Sequence, residues 1–500
     1  MWRPPGSLTD LELTSFLRLL KFFMMMKIRL FAARSATGFL LLSAILIFPV
    51  SVSWANEVHL ANGIKIGEMD TRSAIVWMRL TQQAERNIDG IAFENLKPEN
   101  QPAYPDLSIM AGSVTGQAGE VMVKYWPEGR PDEASVTDWV GVDAATDFIH
   151  QFHLTELQPG TAYQVVARGR TDDDRIRLRG SFRTAPEASQ AADVSFVVTT
   201  CGDYPRRDDA DNGHVIYKTM LGLDPDFLVH TGDAEYYDYG GPQAVTPALA
   251  RFKWNRLYSM PYLRTFHNQV GCYFIKDDHD TMKDDCWPGD TFGEITWEQG
   301  VAIHKEQVPM GKTPYRTVRW GKHLQIWLVE GREFRTPNTM KDGPEKTIWG
   351  KKQKQWFFDT VTASDATHKI LLSATPVVGP DRISKKDNHA NASFATEGNE
   401  IRDFIRKQGN MYIVCGDRHW QYASVDPRTG VREFSCGPAT DKHAGGYKQE
   451  DADPERHKFL LVKGGFLQVS VDAEAGGLVF QHHAVDGTVR HRETFAAPPK

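Results

Sequence analysis

Four short runs of β-branched and aromatic residues, spread between positions 194 and 415, each stop abruptly at a dense polar cluster. Val194–Thr199 runs into Cys201-Gly-Asp203, and Phe227–His230 runs into Gly232-Asp233 with Glu235 and Tyr236 close behind. Residues 270–275 run into Asp277-Asp278-His279-Asp280, and residues 411–414 run into Cys415-Gly-Asp417-Arg418-His419. Continuous apolar runs this short are the pattern of strands buried on both faces. Helical stretches alternate with them: residues 212–223 put Val215, Ile216, Met220 and Leu221 on one side, and residues 351–361 carry Trp356 and Phe357. Further runs at 324–329, 370–373, Phe466–Val471 and 478–485 repeat the strand type, the last two as a closing hairpin. The alternation predicts a layered α/β domain over residues 193–492. In α/β sheets, ligands bind outside the carboxyl ends of the strands, so the four clusters are expected to converge.

Each cluster alone has a plain structural explanation. An Asp after Gly is ordinarily a turn or a helix cap, and a Cys in a strand is ordinarily core. Four coincidences at the same kind of position are different. Adjacent carboxylates such as Asp277 and Asp278 repel unless a cation sits near them. A thiolate, a phenolate and an imidazole suit a transition metal, whereas hard carboxylates suit Ca²⁺ or a similar ion.

Before this domain the texture is that of a sandwich of short strands. Residues 73–80 (Ser-Ala-Ile-Val-Trp-Met-Arg-Leu), 121–125, 152–154, 163–167 and 180–183 read as strands broken by turns. Leu157-Gln-Pro-Gly-Thr-Ala-Tyr163 resembles the tyrosine corner of a fibronectin type III-like sandwich. We therefore expect a β-sandwich over residues 56–186 and an Ala-rich linker at 185–192. Lys27, Arg29 and Arg34 precede an apolar run at 38–50, and Ser53-Trp-Ala55 follows it. Charged, apolar and small-x-small in that order is a secretory signal, and the run is short of the roughly 20 residues that span a bilayer. Residues 1–55 are thus read as an upstream extension and signal peptide, placing the mature chain in the periplasm or outside the cell. Five cysteines leave at least one unpaired, and Cys201 is the candidate for a metal-bound thiol.

Together, Thr200-Cys201, Asp226-Phe-Leu-Val-His-Thr-Gly-Asp233-Ala-Glu-Tyr236, Asp277-Asp-His279 and Gly416-Asp-Arg-His419 resemble the PhoD-like alkaline phosphatases. These are calcineurin-type metallophosphoesterases that carry an N-terminal sandwich. The resemblance extends to Tyr315-Arg, Trp320-Gly, Arg332-Glu-Phe-Arg335 and the helix with Gly350, Gln353 and Trp356. It implies hydrolysis of phosphate monoesters or diesters by in-line attack of activated water. It implies Fe³⁺ held by Cys201, Asp233, Tyr236 and His419, and Ca²⁺ or another divalent ion held by shared Asp233 with Asp278 and Asp417, with Asp277 also at the metal cluster. His279 is then the group that stabilises the transition state or protonates the leaving oxygen. The sequence departs from the family pattern at Lys276, Asp280, Asp284-Asp285 and Glu330, which spares the ligands and alters their surroundings. Arg332, Arg335, Arg418 and Lys276 are the candidate phosphate contacts.

Two other classes match parts of the pattern. Cys201 and Arg207 have the Cys-x5-Arg spacing of cysteine-nucleophile phosphatases, but Asp203 would repel phosphate from that loop and Pro205 lacks an N–H. A non-catalytic metal-binding adhesion module would not need His279. Acidic residues outnumber basic ones by only 64 to 58 and no Lys/Arg stripe runs along the mature chain, so nucleic acid is not an indicated partner.

Overall fold

The computed structural model describes residues 57–498; the signal-peptide reading lies outside them. Among the described residues three large sheets organise the chain, beside a two-stranded one of Thr291–Phe292 and Ile295–Thr296. The largest has nine strands, in the order Val489–Phe495, Leu478–His483, Phe466–Val471, Val194–Thr199, Phe227–His230, Gly271–Phe274, Ile64–Gly67, Ala74–Arg79 and Ile149–Leu154. A seven-stranded sheet runs Arg316–Trp320, Leu324–Leu328, His368–Ser373, Met411–Cys415, Arg432–Cys436, Gln421–Val425 and His457–Leu461. The third sheet is built from Ser135–Val136, Gly119–Pro127, Ala162–Arg170 and Arg175–Arg183, with Val140–Val142 beside it.

Period-two alternation explains the layering. On the central strands Phe196, Val198, Phe227, Val229 and Tyr273 join one core with Ile326, Leu328, Ile370, Leu372 and Val414 of the seven-stranded sheet. Their neighbours Val197, Leu228, Cys272 and Phe274 point the other way, onto the helices Val215–Leu221, Pro247–Tyr258 and Pro261–His267. Trp327, Leu371 and Ile413 likewise face the helices Gly350–Ala363 and Ala395–Gln408. The result is helices, sheet, sheet, helices. Burial of each such Val, Leu, Ile or Phe side chain stabilises by about 1.5–3 kcal/mol, so both sheets are held from two sides.

The N-terminal strands do not form a closed pair of sheets of their own. Ile64–Gly67 pairs in parallel with Gly271–Phe274, so it, Ala74–Arg79 and Ile149–Leu154 extend the nine-stranded sheet. The pairing rests on Gly67 opposite Cys272, where a side chain on Gly67 would meet the Cys272 carbonyl at 2.9 Å. The tyrosine corner is present: the Gln158 N–H donates to the Tyr163 hydroxyl at 2.8 Å.

Val194–Thr199, Phe227–His230 and Gly271–Phe274 are mutually parallel, as are Leu324–Leu328, His368–Ser373, Met411–Cys415 and Arg432–Cys436. The carboxyl ends of the two parallel sets meet at Gly416. A Cβ there would lie 2.6 Å from Thr231 Oγ1 and 2.7 Å from Thr200 Oγ1, so only glycine permits the approach.

Candidate metal centre

All four polar clusters meet where those strands end. Cys201, Asp233 and His419 bring one ligand atom each within 4.8 Å of one another; so do Asp233, Asp277 and Asp417, and so do Asp233, Asp278 and His279. Asp233 is common to all three groups. The Tyr236 hydroxyl donates to Asp233 Oδ2 at 3.1 Å and lies 3.4 Å from His419 Nε2, and Cys201 Sγ lies 3.5 Å from the same Asp233 oxygen. The residues anticipated for the first site therefore share one buried corner. For the second, Asp277 and Asp417 group directly with Asp233. Asp278 sits toward His279, its Oδ2 accepting the Asp285 N–H at 2.6 Å.

The backbone is strained where the donors stand. Cys201, Asp233 and Asp417 have φ of 53°, 57° and 60°, a left-handed conformation that non-glycine residues hold at a cost of about 1–3 kcal/mol each. Each is the second or third residue past its strand, so the turn swings the side chain back across the strand ends. Asp280 locks two of these turns together. Its Oδ2 accepts the N–H of Asp233 at 2.6 Å and of Asp277 at 3.1 Å, while its Oδ1 accepts that of Glu235 at 3.1 Å. Gly232, with φ 101°, lets Asp277 pack where a Cβ would come within 2.6 Å of it. His214 holds the Cys201 loop through Gly202 O at 2.7 Å.

Electrostatics point to cations. Burial first, then the negative charges of Asp278, Asp277 and Asp280 working against the His279 imidazole, raise the Asp233 carboxyl well above its ordinary range. Burial, followed by Asp233, does the same to the Cys201 thiol and to the Tyr236 phenol. Burial lowers His419, with His443 and Arg418 adding to it, so that imidazole is neutral and free to donate its lone pair. Asp233 Oδ1 and Asp277 Oδ2 are buried with no hydrogen-bond partner among the described residues. Several acids that resist ionisation, crowded together with unpaired oxygens, fit metal ions in both sets of donors.

His279 is held differently. Its Nδ1 lies 2.5 Å from Asp238 Oδ1, and its Nε2 is 4.0 Å from Asp284 Oδ1. Burial lowers its pKa, but Asp278, Asp238 and Asp233 outweigh burial and hold the imidazole well above its usual value.

The four cations expected to touch phosphate are engaged elsewhere. Arg332 is fully buried and donates to Asp277 Oδ1 at 2.5 Å. Arg335 donates to Gly331 O, Asn338 Oδ1 and Asp387 O, Lys276 sits 2.6 Å from both Glu330 and Glu333, and Arg418 pairs with Asp381 at 2.5 Å and with Asp417. Their charge is spent holding loops and ligand carboxylates, which composition could not distinguish from phosphate binding. Cys201 is wholly buried, and Arg207 donates to Tyr204 O and Ala210 O at 2.9 Å, which removes the phosphate cradle of a cysteine nucleophile. Cys201, Cys272, Cys286, Cys415 and Cys436 are all free and buried.

Two residues at the site were not anticipated. Asp238 follows Asp233 by five positions in an unpatterned stretch. His443 follows the strand Arg432–Cys436, whose carboxyl end lies at the same edge; its ring stands 4.0 Å from that of His419 and 5.2 Å from that of Tyr236. Its Nδ1 lies 3.3 Å from the Cys201 carbonyl, and burial, then Arg206, push it down to about 3. A fifth strand with a histidine beyond its end was the signal.

Two facing mixed sheets clad in helices, with carboxylates, imidazoles and a thiol gathered at the strand ends, define a metallophosphoesterase. The PhoD-like phosphatase family model matches residues 196–478, and the chain belongs to that family. It is a phosphoric ester hydrolase. It is 20% identical over 412 residues to alkaline phosphatase D of Bacillus subtilis, covering 67% of each chain. A solved structure of PhoD superposes with a TM-score of 0.69 at 15% identity, covering 88% of this chain and 90% of that one. The purple acid phosphatase PPD1 of yellow lupin (Lupinus luteus) seeds superposes with a TM-score of 0.58 at 13% identity, covering 87% and 74%. Among the described residues no helix is long and apolar enough to cross a membrane.

Proposed function

We propose that this chain is an exported two-metal phosphoester hydrolase, and the convergence of three ligand groups on Asp233 is the observation that carries it. Cys201, Asp233, Tyr236 and His419 would hold Fe³⁺. Asp233, Asp278 and Asp417, with Asp277 beside them, would hold Ca²⁺ or another divalent ion. The donor chemistry supports this division: soft and phenolic donors at one corner, hard oxygens at the other. Bound there, the metal pair supplies Lewis acidity, activating water and taking up charge that develops on phosphorus.

The protein's own side chains do the rest. Asp233, common to the three ligand groups, would serve both sites. Asp238 orients the His279 ring and supports its charge, leaving Nε2 to stabilise charge or to give a proton to the departing oxygen. Arg332, paired with Asp277, holds that carboxylate in a fixed rotamer with one oxygen left over. We further read residues 56–186 as a sandwich that shares one sheet with the catalytic domain at 193–492, which the Tyr163 corner supports. Export rests on the charged, apolar and small-residue order of positions 27–55.

The test is hydrolysis of a chromogenic phosphate ester by purified protein before and after chelation. We expect activity to vanish on chelation and to return in part with added divalent metal. Full turnover by protein shown to be metal-free would overturn the reading.

A further inference from the structure

Beside the metal centre lies a cavity of about 380 Å³ whose walls continue two of the ligand loops. One wall is Tyr204 to Arg207, which directly follows Asp203; another is Tyr239 to Gly241, which directly follows Asp238. The third, formed by Ala92, Phe93 and Asn95, comes from the N-terminal region, and Arg256 of the helix Pro247–Tyr258 closes it. Arg206 ties this space to the centre. Its guanidinium is 3.3 Å from Asp203 and lies over the Tyr239 ring at 4.1 Å.

The lining is aromatic and cationic, with no carboxylate in it. Tyr239 is 41% exposed, although a tyrosine ring ordinarily seeks cover. Tyr204 carries the guanidinium of Arg207 at 4.1 Å and that of Arg256 at 4.0 Å over its ring. Arg256 is the telling residue. It is 4% exposed, one N–H donates to the Gly241 carbonyl at 2.9 Å, and its Nε and Nη2 have no partner among the described residues. No carboxylate of the described residues lies within ion-pair distance of it. A buried guanidinium at a cavity wall with unspent donors is a place for an anion.

We propose that this cavity receives the leaving group of the substrate, and that the preferred leaving group joins a planar ring to an anionic group of its own. The ring would rest against Tyr239 and Phe93, and the anion against Arg256. The proposal builds on the hydrolase reading, because the Tyr239 wall directly follows Asp238, the carboxylate that holds the catalytic histidine. It names a substrate class: phosphate esters of aromatic or heterocyclic alcohols that carry a further carboxylate or phosphate.

The test uses metal-loaded enzyme and 4-hydroxybenzoate, the product alcohol of 4-carboxyphenyl phosphate. Calorimetric titration is expected to show binding, competitive with ester hydrolysis. Glycolate, an anion without a ring, and benzyl alcohol, a ring without charge, should each bind about tenfold more weakly. Tyr239→Ala, at an exposed side chain, should weaken 4-hydroxybenzoate about tenfold. Arg256→Gln should do so as well, and Tyr239→Ala keeps the test decisive if Arg256→Gln fails to fold. Absence of binding by an enzyme that hydrolyses ethyl phosphate would overturn the pocket and leave the hydrolase standing. Equal affinity in wild type and Tyr239→Ala would overturn it too. Binding without any ester turnover would overturn the leaving-group assignment together with the hydrolase reading.

Discussion

The Nδ1 of His279 lies 2.5 Å from Oδ1 of Asp238, so the imidazole is fixed with Nε2 turned away from that carboxylate. The same Asp238 accepts the Asp284 N–H at 2.8 Å, which anchors the carboxylate in turn. If His279 acts on the reacting ester, His279→Ala should lower turnover by roughly 10²–10⁴ with both metals retained. Asp238→Asn should give a smaller loss in kcat, since the ring keeps a hydrogen-bonding neighbour but loses the charge that supports its protonated form. Metal analysis beside steady-state kinetics decides it. Loss of metal from His279→Ala would make this histidine a ligand instead.

Gly416 is the point where the two sheets touch. A methyl group there would sit 2.6–2.7 Å from Thr231 and Thr200, closer than real Cβ contacts come. Gly416→Ala is expected to cost about 1–3 kcal/mol of stability, as overpacking does, and to weaken metal binding by parting Asp417 from Asp233. Denaturant midpoints and metal titration would show both; an unchanged metal affinity would mean that the strand ends can yield.

Much of this was legible in the chain, and the boundary has a physical cause. Phe196–Val198 and Phe227–Val229 are buried on both faces, so their side chains are uniformly apolar and the polar residues that follow mark the end. The strand Arg432–Cys436 carries Glu433 fully buried at its second position. Glu433 accepts the N–H groups of Val377, Val378 and Gly379. A buried carboxyl whose backbone partners lie more than 50 residues away breaks the pattern, and with that strand went His443. The parallel pairing of Ile64–Gly67 with Gly271–Phe274 is equally non-local. Lys276, Arg332, Arg335 and Arg418 could be seen as charges, but only their packing reveals that each is already paired.

Glu397 offers a test of stability remote from the metals. Burial would raise its carboxyl, but hydrogen bonds from His389 at 3.0 Å, from the Thr347 hydroxyl and from the Ile348 N–H at 2.6 Å bring it down to about 2. A depressed carboxylate stabilises fully above its unfolded value of about 4.3, and the contribution is lost as pH falls from there toward 2. Wild type should therefore lose about 2–3 kcal/mol more than Glu397→Gln between pH 5 and pH 2. Parallel acid titrations of the denaturation midpoint measure the difference, and identical slopes would contradict the assignment.

Tyr236 bears on the identity of the first metal. With its hydroxyl 3.1 Å from Asp233 and 3.4 Å from His419, it stands where a phenolate ligand would. Phenolate and thiolate on Fe³⁺ donate charge into the metal, so concentrated native protein is expected to be coloured. Tyr236→Phe should shift or bleach the band, and Asp278→Ala should leave most of it. Colourless, fully active protein holding only zinc or calcium would remove iron from the account and spare the hydrolase.

The central claim is that Asp233 joins two metal sites, and the metal content of Asp233→Ala tests it most directly. Elemental analysis of folded wild-type and variant protein, with ester hydrolysis measured on the same samples, should find two metals per chain in the wild type. In Asp233→Ala both should be depleted and hydrolysis lost together. A folded Asp233→Ala that keeps the wild-type metal complement and turnover would contradict the shared carboxylate and the mechanism built on it.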